Sequence, residues 1–147
     1  MTGWVEFPFE RCVELVTARH CRSDLARATA GSIVQQHYAH LGLHFAPRRW
    51  LLFEPDESRL ADLLAGGSRC CDASGKWKLF TTSISDAQPA LAAGIDVEQI
   101  LSNRGCARAH VFDCPVVLAR LEHAFLACVE SSYEGAWLSA MWPPETR

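Results

Sequence analysis

Long apolar runs are missing from this 147-residue chain: nothing approaches the roughly 18 consecutive apolar residues that a membrane helix needs. Basic charge is also short. Lys76 and Lys78 are the only lysines among 14 Lys and Arg residues, and the net charge is −3. Such a chain lacks the electropositive footprint of a nucleic-acid binder, and Arg48, Arg49, Arg104 and Arg108 do not amount to one. No C-x-x-C pair occurs, which removes the strongest zinc and redox signatures. A glycine-rich phosphate loop is absent too, since Gly66-Gly67 reads as a helix stop. The opening MTGWVEFPFERC has neither a basic start nor an apolar run, so no secretory signal is expected and the expected address is cytoplasmic.

What is present points to a soluble, folded protein. Close to half of the residues, 49%, are hydrophobic, enough to build a core and too many for a disordered chain. The seven cysteines are odd in number and follow no framework spacing, so they read as reduced thiols, buried as small hydrophobes. One globular domain is expected over 1–147, with 131–147 an aromatic C-terminal segment.

The segment Ser23–Glu54 organises the reading. Ser23 or Asp24 suits a helix N-cap, and Ala26, Ala30, Ile33, Val34, His37 and Leu41 recur with helical period. Gly42 then reads as the helix end. Pro47-Arg48-Arg49 leads into an apolar run, 50–54, that reads as a buried strand. Further strands are expected at 76–84 and 107–112. Helices are expected at 9–18, 57–64, 86–94, 96–103 and from Asp113 to Cys128, with Ser68–Gly75 a loop. The fold class that follows is α+β or α/β, with a small three-stranded sheet, mixed or parallel, covered by about five to six helices.

Four groups of residues could carry function. His37, His40 and His44 stand at i, i+3 and i+7. On a continuing helix they would share a face and could hold a divalent metal, the one cofactor this pattern suggests. His110 and Cys114 flank a strand-to-helix turn, where a helix N-terminus would favour a thiolate nucleophile. Cys114 to Arg120 also satisfies the C-x5-R spacing of cysteine phosphatases, but without a glycine to let the backbone wrap phosphate. Arg48 and Arg49 could clamp a carboxylate or phosphate. Tyr133, Trp137 and Met141, at i, i+4 and i+8, are extended by Trp142 into an aromatic surface of the kind that anchors interfaces.

No constellation reaches the strength of a catalytic motif. The expectation is therefore a non-enzymatic binding protein of inhibitor, immunity or adaptor type. Its partner would be another protein or a second copy of the chain, rather than a membrane or nucleic acid. The alternative is a metal-dependent enzyme or metal-binding protein built on the three histidines. A third reading is a cysteine-dependent hydrolase at His110 and Cys114.

Overall fold

A computed structural model describes residues 4–19, 33–35, 38–83, 101 and 104–141. Its contacts divide the chain into two compact units. Met1–Pro8 with Gly75–Arg147 form the first, and Phe9–Ser74, inserted between those two pieces, form the second.

The first unit is an antiparallel sheet of β1 (Val5–Glu6), β7 (Trp77–Ser83), β10 (Ala124–Glu130), β9 (Cys114–Arg120) and β8 (Cys106–Val111), in that spatial order. The two-residue turn between β8 and β9 puts both Phe112 (φ 50°) and Asp113 (φ 65°) in the left-handed region. Those signs match the twist of a tight hairpin, although a bulky residue such as Phe112 adopts them only with strain. One sheet face presents Phe80, Ala107, Ala109, Val111, Val116, Leu118, Phe125, Ala127 and Val129 to a core completed by Trp4 and helix α2 (Glu134–Met141). From α2 come Trp137 and Met141. The rings of Trp137 and Trp4 meet edge to face at 5.4 Å. The other face is no less apolar, for Leu79, Val117, Ala119, Leu126 and Cys128 are also buried.

The second unit orders its strands β3 (Ile33–Gln35), β4 (Ala39–Ala46), β5 (Arg49–Pro55), β2 (Cys12–Val16) and β6 (Arg69–Asp72), again all antiparallel. Helix α1 (Glu57–Ala65) starts at Asp56, whose carboxylate accepts from the Ser58 and Arg59 amides. The helix buries Leu60 and Leu63 with Val13, Leu15, Trp50 and Leu52. Each leucine so buried contributes on the order of 2 kcal/mol. Gly42 lies mid-strand against this cluster. A Cβ there would come within 3.0 Å of Leu52 Cδ2 and 3.5 Å of Trp50 Cε3.

Glu54 ties the start of this unit together. It takes φ 54°, and one carboxylate oxygen accepts the amides of Glu10 at 2.8 Å and Arg11 at 2.7 Å. Its own amide donates back to the Arg11 carbonyl. Those amides, Arg11 first and then Glu10, hold the carboxyl below its ordinary value.

The expected fold class is overturned: two five-stranded antiparallel sheets replace a three-stranded sheet under helices. The helix expected from Ser23 to Leu41 gives way to β3 at 33–35 and β4 from Ala39, its portions at 23–32 and 36–37 lying outside the described residues. Residues 9–18 form β2 with flanking extended chain, and 113–128 form the β9–β10 hairpin instead of one long helix. The expected loop at 68–75 contains β6. For the β9–β10 hairpin the reason is burial on both faces. A strand buried on both faces carries no polar alternation, so Val116–Ala119 and Phe125–Val129 fit a buried helix as well as a strand. The helix expected at 57–64 and the strands expected at 50–54, 76–84 and 107–112 stand there within a residue or two, Ile84 lying outside the described residues. Helices expected at 86–94 and 96–103 lie outside the described residues, apart from Leu101.

Two measurements check this architecture. Trp137→Ala removes a ring that is fully buried and is expected to cost about 3–5 kcal/mol in denaturant unfolding, whereas Tyr133→Ala stays within about 0.5 kcal/mol. Acid should act through Glu54. A carboxylate held below its ordinary value adds stability above that value and loses it as pH falls through the folded pKa. The melting temperature should therefore drop as pH falls below the ordinary carboxyl value of 4.5. Glu54→Gln should flatten that drop in part, because Asp56 and Asp72 are lowered too, each first by its hydrogen bond from a serine hydroxyl.

Candidate interaction surface

Of the three histidines of the sequence reading, the two that are described fall on a strand. His37 lies outside the described residues, and His40 and His44 stand four apart on β4. At about 3.3 Å per residue a strand holds them roughly 13 Å apart, far beyond the span of one ion's ligands. His40 is exposed. His44 is 3% exposed and stacks on Trp50, with ring centroids 4.4 Å apart and an interplanar angle of 9°. Among the described residues no three His, Cys, Asp or Glu side chains gather as a metal-ligand set.

His110 and Cys114 share a hairpin without meeting. In the β8–β9 register Val111 faces Cys114 while His110 faces Pro115. Directly opposed residues share a sheet face and neighbours along a strand do not, so the imidazole and the thiol point to opposite sides. Cys114 is buried, and its Sγ donates to the Phe112 carbonyl at 3.7 Å. Burial first, and then the Asp113 charge, push this thiol up, away from the thiolate a nucleophile requires.

Both arginines of the pair are engaged by the fold. Arg48 sits at φ 62° in the β4–β5 turn, and its Nε donates to the Thr17 carbonyl at 2.9 Å. The Arg49 guanidinium lies over the Phe45 ring, 5.1 Å from its centroid. The C-terminal aromatic set is split. Trp137 and Met141 belong to the core of the first unit, Tyr133 is 37% exposed, and Trp142 lies outside the described residues.

A different apolar surface emerges at β1, which sequence reasoning missed. Trp4 is 2% exposed, yet Val5 is 65% and Phe7 52% exposed, the two largest values among the exposed large hydrophobic residues. The alternation explains the contrast: Trp4 turns into the core, which sends Val5 and Phe7 to the other side. The Phe7 amide donates to the Leu79 carbonyl at 2.7 Å, so the main chain of Phe7 faces β7 and that of Glu6 faces away. Lys78 Nζ stands 3.9 Å from the Glu6 carboxylate. Pro8 follows, with no amide to offer. The signal was present as Trp-Val-Glu-Phe-Pro, but a two-residue strand is too short to register as periodicity.

No helix among the described residues is long and apolar enough to cross a membrane. No protein-family model matches the chain, and no curated protein matches it. Solved structures do. The chain is similar to one from heterotetrameric sarcosine oxidase of Corynebacterium sp. U-96, whose structure is in complex with pyrrole 2-carboxylate. The TM-score is 0.71, with 18% sequence identity, over 93% of this chain and 80% of that one. At that identity the likeness shows a shared fold and nothing of activity.

Proposed function

We propose that this protein is a non-enzymatic binding protein that docks through side chains on the open edge of its first sheet. The observation that carries the reading is the pair Val5 and Phe7, 65% and 52% exposed beside the buried Trp4. Side chains this apolar gain on the order of 1.5–3 kcal/mol each when covered. Trp4 keeps the strand in place through its contact with Trp137, so the two exposed residues are presented from a rigid base. Pro8 removes the next main-chain donor, so an incoming strand could not pair past Glu6. The partner therefore offers an apolar socket, not an added strand. The similar chain of known structure comes from an assembly described as heterotetrameric, which supports a fold suited to being held by other chains.

Capture of partners from the source cells tests the reading with three tagged proteins: wild type, Val5→Ser/Phe7→Ser and Tyr133→Ser. The expected result is a stoichiometric partner held equally by wild type and Tyr133→Ser, and held at least about tenfold more weakly by the double variant. Melting temperatures should be alike for all three. Equal capture by the double variant overturns the β1 surface, and loss in Tyr133→Ser alone moves the interface to the C-terminal segment.

A further inference from the structure

The second unit has an edge of another kind. Strand β6 pairs only with β2, and no other described strand pairs with its far side. One hydrogen bond fixes which groups point there. The Ala73 amide donates to the Cys12 carbonyl at 2.8 Å, so Cys12 and Ala73 form a hydrogen-bonded pair. By alternation Glu14 with Cys71 and Val16 with Arg69 are hydrogen-bonded pairs as well. Bonds on the far side of β2 agree with this phase. The Glu54 amide donates to the Arg11 carbonyl and the Thr17 amide to the Arg48 carbonyl, so the odd residues of β2 face β5 and the even ones face β6. Cys70 and Asp72 consequently turn their amides and carbonyls to the open edge. Neither proline nor lysine, the usual guards of an edge, occurs in Arg69-Cys70-Cys71-Asp72.

We propose that this edge pairs with the same edge of a second copy, and that an exposed cysteine at its centre locks the pair as a disulfide. A two-fold axis perpendicular to a sheet keeps each side chain on its face, so paired residues must share parity. The outward groups belong to Cys70 and Asp72, so the register that satisfies both sets Cys70 against Asp72 of the second copy on each side of the axis. Cys71 then falls opposite its own copy in a non-hydrogen-bonded pair. Cα atoms in such a pair are about 4.5 Å apart, inside the range of about 4.4–6.8 Å that a disulfide spans. Cys71 is exposed, and its Sγ sits on the Glu14 face, 3.9 Å from the Glu14 carboxylate. Both sulfurs thus lie on one side of the joined sheet.

The chemistry balances with a small disulfide such as oxidised glutathione as oxidant. One Cys71 thiolate attacks it, forming a mixed disulfide and releasing one glutathione. The second copy's thiolate attacks the Cys71 sulfur of that mixed disulfide and releases the other. Two protein thiols are oxidised, one glutathione disulfide is reduced to two thiols, and the two protons lost by the cysteines end on the glutathiones. This proposal is independent of the β1 reading, because it uses the other unit and a second copy of the chain.

Light scattering after size exclusion, with non-reducing electrophoresis, tests it on the full chain treated with oxidised glutathione. The expected result is a doubled mass that reverts on reduction, persists in Cys70→Ser and is lost in Cys71→Ser. Cys70→Pro removes an outward amide while leaving the β2 ladder intact. It should slow dimer formation roughly tenfold relative to Cys70→Ser, because a hydrogen bond is lost on each side of the axis. A chain that stays monomeric, or a dimer that survives Cys71→Ser, overturns the proposal. So does folded Cys70→Pro that dimerises as fast as Cys70→Ser, since that means chance collision of thiols. Should Cys70→Pro fail to fold, the two serine variants decide.

Discussion

Burial of the central strands on both faces is the constraint on which each unit depends. In the first unit β9 and β10 carry buried side chains at consecutive positions, Val116 to Ala119 and Phe125 to Val129. In the second, β5 buries Trp50 to Phe53 in the same way. A strand so placed has no polar side, so every position must be apolar and small enough to fit its layer. Alanine and cysteine at Ala119, Ala127, Cys12 and Cys128 answer that demand. The thiols illustrate the cost of their position: burial, ahead of the Glu14, Asp72 and Cys71 charges, pushes Cys12 up to about 12. A thiol in that state is packing material, and the scattered cysteines of the sequence are mostly of this type.

The same constraint decides what could be read from the residues alone. Where polar and apolar residues alternate, as at the start of β7 with Trp77-Lys78-Leu79, the strand was legible. Where an N-cap and a glycine stop bracket a periodic run, as at Asp56 and Gly66, so was the helix. The short run at Trp50 to Phe53, bounded by arginines and a proline, was legible as well, but β9 and β10 were not, because Val-Val-Leu-Ala and Phe-Leu-Ala-Cys-Val satisfy a helix and a doubly buried strand equally. Gly42 misled for a further reason. It resembles a helix stop, yet its role is to make room beneath Leu52 and Trp50. Asp113 also resembled a helix cap, but it occupies a hairpin turn with positive φ, which Asp tolerates as readily as it caps.

Reassigning helix to strand changes the chemistry the side chains can do. Three histidines at helical spacing converge, whereas on a strand His40 and His44 are separated along its length. Cys114 at a helix N-terminus would gain from the dipole. In a hairpin it gains nothing, and its neighbour His110 belongs to the opposite face. The C-terminal segment shows the converse: it is a helix over Glu134–Met141, and its periodic residues Trp137 and Met141 are what the core required. Periodicity identifies a buried face and carries no information about whether the cover is the same chain or a partner.

Two edges of these sheets differ in how they treat incoming strands, and the difference is physical. An edge invites pairing in proportion to the unpaired amides and carbonyls it offers in register. β1 offers the main chain of Glu6, with Trp4 in the same phase before it, and then meets Pro8, so pairing cannot run on past Glu6. Its apolar side chains carry the attachment beyond that point. β6 offers Cys70 and Asp72, spaced two apart and without interruption, while its outward side chains are polar or small. Main-chain pairing is therefore favoured at β6 and side-chain docking at β1.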